Sequence, residues 1–386
     1  MDDGDAKQIA GNLDAAISDY DKAIELDKAN YIAYQHRGLA EQKKGDSDKA
    51  IADYTKAIEL KPDSILAYLN RGEAKRIKGD LDGAISDQSK AIELDPKNYF
   101  AYANRAIAKG QKGDSSGEME DENKGLKIRS DDALIYYNRG VMKQTKGDLD
   151  GAILDYTKAI EYDTNLFGAY LNRGYAKTMN GDLDGAIADE SKAIELHPKS
   201  WEAYSNRGNA KGDKGDSSGA IADYSRAIEI KPENPSLYYN RGNTKNENGD
   251  PDGAILDESK TIELDPNFIG AYWIRGNANI TKSNWDAAIS DYEKVVEFDK
   301  TNYFGYHNRG YAEQQKGDFD KAIADYDKAI KIDPNQAEAY YKRGKAKTSK
   351  ANLSGALEDF NKVLELSPDY CDTQQLIDEL KKKIAK

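Results

Sequence analysis

One cysteine, Cys371, stands in the whole chain, so no disulfide can close within it and no pair of thiolates can hold a metal. Histidine is almost as scarce. His36, His197 and His307 are too few and too far apart to suggest a metal site. No apolar run reaches the length of a membrane-spanning helix. The opening residues, Met1-Asp2-Asp3-Gly4-Asp5, are acidic, so no signal peptide is expected, and the compartment stays open with a lean to the cytoplasm. Excess positive charge is also missing, with 56 Lys and Arg against 69 Asp and Glu, a net charge of −13. Nucleic-acid phosphates and anionic membrane surfaces both need a basic face, so neither is expected as a partner. No nucleophile is set beside a base, and no glycine-rich loop could cradle a phosphate. The repeated Gly-Asp-Leu-Asp-Gly, as in Gly79–Gly83, lacks the further oxygen ligands of a calcium loop. The sequence therefore predicts no enzyme, no metal and no cofactor.

What the chain has in abundance is one period. Arg37, Arg71, Arg105, Arg139, Arg173, Arg207, Arg241, Arg275, Arg309 and Arg343 are each 34 residues apart, and Gly follows in every case except Ala106. A strict repeat of this length marks a solenoid, in which each unit packs only on its neighbours. The organisation follows directly: an incomplete repeat over 1–30, ten tandem units over 31–370, and a capping helix over 371–386. Gly4 aligns with the Gly after each Arg, and Leu376, Leu380 and Ile384 fall at helical spacing in the cap, opposite Lys381, Lys382 and Lys383.

Counting columns from Tyr31 as 1, each unit reads as two helices. Gly79 supplies the left-handed residue that ends a first helix, Asp80 caps the second, and Pro96 stops it. Column 8 is Gly in nine of ten units and column 20 is Ala in ten of eleven second helices, so the two are expected to meet where the helices approach closely. Tyr fills column 4 in all ten units and reads as packing.

These residues carry a resemblance. Length 34, the aromatic at column 4, Gly at 8, Ala at 20 and Pro at 32 make the chain similar to tetratricopeptide repeat (TPR) arrays, of a bacterial type with an Asn-Arg-Gly signature. The resemblance implies an all-α fold, a right-handed superhelical solenoid of stacked antiparallel helix pairs. It also implies that first helices line a concave groove, and that the chain is an interaction scaffold for a protein or extended peptide. The alternatives are an assembly protein self-associating through its ends or outer face, and a regulatory arm of a larger enzyme.

The chain departs from the family at two columns. Column 7, usually apolar, is always Arg, and column 11, usually aromatic, is Lys in seven units. Column 23 is Asp in every second helix. A buried Arg needs a carboxylate, so the spacing predicts a structural ladder in which Arg173, Arg207 and Arg241 pair with Asp189, Asp223 and Asp257, and likewise along the chain. Column 6, on the groove face in the family, is Asn70, Asn104, Asn138, Asn172, Asn206, Asn240 and Asn308. Amides repeated there can grip a peptide backbone without reading its sequence, an arrangement similar to the asparagine ladder in the TPR arm of O-GlcNAc transferase. The unbroken run from Asn138 to Asn240 is expected to matter most. Tyr137, Tyr175, Tyr239, Trp273, Tyr311 and Tyr341 would add side-chain pockets beside the amides. The Lys residues of a carboxylate clamp are absent from columns 2 and 5, which argues against chaperone tails. The unit Tyr99–Asp132 departs most from the others, with Glu118 and Gly125 at packing Ala columns, so poorer packing or a hinge is expected there.

Overall fold

The computed structural model describes residues 11–370 and 372–385. Gly4 and the rest of 1–10, together with Cys371, lie outside them. Among the described residues there are 22 helices, each of 12–14 residues, and no strand. Helices this short are marginal alone, so packing on neighbours must hold them. Consecutive helices pack on one another from Leu13–Leu26 to Phe167–Met179 and again from Leu183–Leu196 to Thr373–Ile384, and several first helices of successive repeats also touch. The fold is an all-α solenoid. The chain divides into two compact units, Met1–Gly181 and Asp182–Lys386, so the division does not fall within Tyr99–Asp132.

Local chemistry sets most of the boundaries. First helices such as Ile65–Lys78 end at Gly79, whose φ of +90° suits glycine. The same left-handed position is taken by Ser283 and Ala351, at φ of 60° and 58°, where no glycine is available. Second helices begin on an Asp or Asn. Asp80 accepts from the Gly83 N–H at 2.9 Å and so caps its helix. First helices carry caps that the sequence reading passed over: Asn30, Ser64, Asn98 and Ser200 each accept from an N–H three residues on.

The core is mostly alanine. Ala33, Ala40, Ala50 and Ala57 are wholly buried, and their counterparts recur in nearly every unit. Small side chains let the helices approach, and a single large residue per unit, such as Tyr54, Tyr156 or Tyr326, fills the centre. That residue, at column 24, is what column 8 must accommodate. A Cβ on Gly38 would sit 2.9 Å from the Tyr54 ring, and one on Gly208 2.8 Å from Tyr224. The closest approach is thus glycine to ring in several repeats, and the expected Gly–Ala approach is met through the backbone, a Cβ on Gly310 falling 3.2 Å from the Ala322 carbonyl oxygen and one on Gly72 3.3 Å from that of Ala84. The alanines at column 20 are buried beside it.

At the C-terminal end, helix Thr373–Ile384 packs through Ile377 and Leu380 onto Tyr341, Phe360 and Val363. Ile377 was not anticipated; Leu376 is half-buried and Ile384 is exposed. The buried set Thr373, Ile377 and Leu380 is rotated from the one read off the spacing.

Candidate functional site

Two layers of polar chemistry run through each compact unit. The first is internal. Arg71 Nε and Nη2 donate to the two oxygens of Asp87 at 2.9 and 2.7 Å, and its third nitrogen donates to Thr55 of the preceding repeat at 3.1 Å. Arg207 does the same to Asp223 at 2.9 and 2.7 Å and to Ser191 at 3.0 Å. Arg241 holds Asp257 at 2.8 and 2.6 Å and Ser225 at 2.9 Å. Arg173 donates to Thr157 at 2.9 Å, and Asp189 is buried. Each guanidinium also lies 5.4–5.8 Å over the column 4 Tyr ring of its own helix, one turn back. The tyrosine stripe is therefore a bed for the arginines.

Column 11 explains itself in the same network. Lys75, Lys109, Lys143, Lys211, Lys245 and Lys347 reach the second oxygen of the column 23 Asp at 2.8–2.9 Å. Burial works to raise the Asp121 carboxyl, and the hydrogen bonds from Arg105 and Lys109 overcome it and hold it below the usual range. Asp291 has Asn279 in place of that lysine, at 3.2 Å, and there burial wins and its carboxyl is raised. The polar residues at column 25, such as Thr55 and Ser191, were not legible as partners, because they belong to the preceding repeat.

The second layer is the face of the first helices. All seven column 6 asparagines are half-buried on it. They divide by environment. Asn172 donates to Tyr137 Oη at 3.3 Å, Asn206 to Glu190 at 3.2 Å, and Asn240 to Asn209 at 3.4 Å, while Asn308 sits 3.1 Å from His307 Nδ1. Among the described residues no protein group hydrogen-bonds the side chains of Asn70, Asn104 or Asn138. The members of the expected central run are thus unequal, since three of them already hold the protein's own groups.

The aromatics divide as well. Tyr175 is exposed, as are Phe100 and Phe304. Tyr137, Tyr239, Trp273 and Tyr311 are half-buried, and Trp273 packs edge-on against Tyr292 and Phe304. Tyr341 is buried under the C-terminal helix, its hydroxyl donating to Asp372 at 2.7 Å, so it is removed from the face. No group of three or more potential metal ligands occurs among the described residues.

Comparison with known proteins agrees with this geometry. A family described as tetratricopeptide repeat matches residues 4–30, 65–98, 133–166 and 337–370, and one described as TPR repeat matches 38–76, 212–249 and 310–349. Together these segments take in more than half of the chain. The chain is a tetratricopeptide repeat protein. TPR units are protein-interaction modules, and this array is an interaction scaffold for protein or peptide partners. Among solved structures it is similar to MamA (32% identity, 42% of this chain and 94% of that one, TM-score 0.41). It is also similar to YrrB, described as a TPR protein with an unusual peptide-binding site (28%, 48% and 95%, TM-score 0.44). A third is a TPR protein from Parabacteroides merdae (20%, 64% and 98%, TM-score 0.47). No curated protein matches the chain in sequence. No described helix is long and apolar enough to cross a membrane.

Proposed function

We propose that this TPR array binds an extended polypeptide along the face of its first helices, with side-chain amides holding the ligand backbone. The observation that carries the reading is the set Asn70, Asn104 and Asn138: half-buried, one per repeat, in register, and without a protein partner among the described residues. An amide in that position offers a donor and an acceptor to a passing peptide group. Phe100, exposed beside Asn104, supplies apolar surface between successive grips.

A peptide selected on the chain from a display library, followed by fluorescence polarisation, tests the reading. Each lost hydrogen bond costs ~0.5–1.5 kcal/mol net. Changing Asn70, Asn104 and Asn138 together to Ala should therefore weaken binding by about tenfold or more, with circular dichroism unchanged. Control changes of Glu59, Glu93 and Glu161 on the second helices should leave affinity nearly intact. Binding that survives the Asn changes and falls with the controls would move the site to the second-helix surface and favour an assembly role.

A further inference from the structure

The irregular repeat Tyr99–Asp132 contains a cavity of about 390 Å³ where its helices meet the next first helix, Ala133–Thr145. It opens among the same columns as the amide row, with Asn138 in its wall. Its apolar side is Ile107, Val141 and Met142. Its polar side is Glu118 and Glu122, which replace the usual packing Ala and the usual central Tyr. Glu122 is 96% removed from solvent, its residual exposure being 4%, and its Oε2 has no hydrogen-bond partner. A buried carboxyl oxygen left without a hydrogen-bond partner is costly, and a cavity at its side gives a partner room to enter. Lys146, at the rim, is committed to the Ser115 carbonyl at 3.1 Å, because Ser116 stands where other repeats carry an Asp for this lysine.

We propose that this cavity receives a lysine side chain of the bound polypeptide, its aliphatic stem against Ile107, Val141 and Met142 and its ammonium group on the free oxygen of Glu122. The proposal rests on the reading that a polypeptide lies along this face. Shape and charge together select the guest. The walls suit a straight methylene chain, and a compact ammonium group carries less bulk past them than the planar guanidinium of arginine. A net charge of −13 favours a basic segment.

Binding should release a proton. Burial, helped by Glu118, pushes the Glu122 carboxyl up to about 8; Asp155 adds to this, and Arg139 and Lys143 oppose it. Near neutral pH the empty pocket therefore holds Glu122 mostly protonated. An arriving ammonium makes the carboxylate the favoured form, and the proton passes to solvent.

The test is methyl NMR of the full chain with Nα-acetyl-lysine methylamide, and with Nα-acetyl-norleucine methylamide as the uncharged counterpart. The lysine compound should shift the methyl signals of Ile107, Val141 and Met142; the norleucine compound should not. Glu122→Gln should abolish the shifts, and it is expected to fold because Gln88 fills the equivalent buried position in another repeat. On the unaltered protein, calorimetry in buffers of different ionisation enthalpy should show proton release near neutral pH. Equal shifts from both compounds, no shift from either, shifts that persist in Glu122→Gln, or heats independent of buffer would each overturn the proposal. If the Asn changes leave peptide binding intact while the lysine compound still occupies this cavity, the backbone-gripping reading falls and the pocket stands. The reverse pattern removes the pocket alone.

Discussion

A buried Asp at column 23 is tolerable only because cations converge on it, and the number of cations differs between repeats. Asp223 has Arg207 and Lys211, whereas Asp291 has Arg275 and the neutral Asn279. Removing the arginine should therefore cost unequal amounts. Arg275→Leu strands a buried carboxylate and should cost on the order of 3 kcal/mol. Arg207→Leu leaves Lys211 in place and should cost roughly half as much. Denaturant midpoints of the two variants decide the matter, and equal losses would show that the lysine adds nothing. The same comparison explains why an apolar family column could become arginine throughout. Arg71, Arg207 and Arg343 each gain a carboxylate, a hydroxyl or carboxylate of the preceding repeat and a tyrosine face at once, so the charge is satisfied where leucine would only have filled space.

Among the helices, Ser115–Ile128 is the weak one. Ala is replaced by Glu118 at one packing column and by Gly125 at another, and a cavity has opened beside it. Solenoid stability is a sum of local terms, so this segment can open without the rest. Amides of 115–128 should exchange faster than those of the matching helix Ser217–Ile230. The defect is also repairable in part. A Cβ on Gly125 would meet only ordinary contacts, 3.6 Å from Ile135 and 4.0 Å from Tyr102. Gly125→Ala should stabilise the helix by about 1 kcal/mol and slow exchange across 115–128. Unchanged exchange would place the weakness elsewhere.

Over the whole molecule, the buried glutamates at column 24 make stability depend on pH in an unusual sense. Burial pushes Glu190 and Glu258 up to about 9, from an ordinary 4.5, and Glu122 up to about 8. A carboxyl whose folded value lies above its unfolded value holds a proton that the unfolded chain has lost. Its contribution is complete below the unfolded value and is lost as pH climbs to the folded one. The denaturant midpoint should therefore fall between pH about 5 and about 9. Glu258→Gln should flatten that slope and stabilise the alkaline side by on the order of 2 kcal/mol. A variant as pH-sensitive as the parent would show that Glu258 titrates normally.

The period, the helix pairs, the second-helix caps and the Arg–Asp partnership could all be read from the linear chain, because each depends on residues within one repeat. A fixed separation of 16 from Arg207 to Asp223 is local enough for a pattern to reveal it. The folded chain alone decided what depends on adjacent repeats. Thr55 and Ser191 became partners of the following arginines, and Asn206 turned inward to Glu190 while Asn138 stayed free. Tyr341 disappeared beneath the C-terminal helix. The cavity beside Glu122 has the same origin: replacing a packing alanine and a central tyrosine marks a defect in one repeat, but only the neighbouring helix Ala133–Thr145 determines whether that defect is filled or left open.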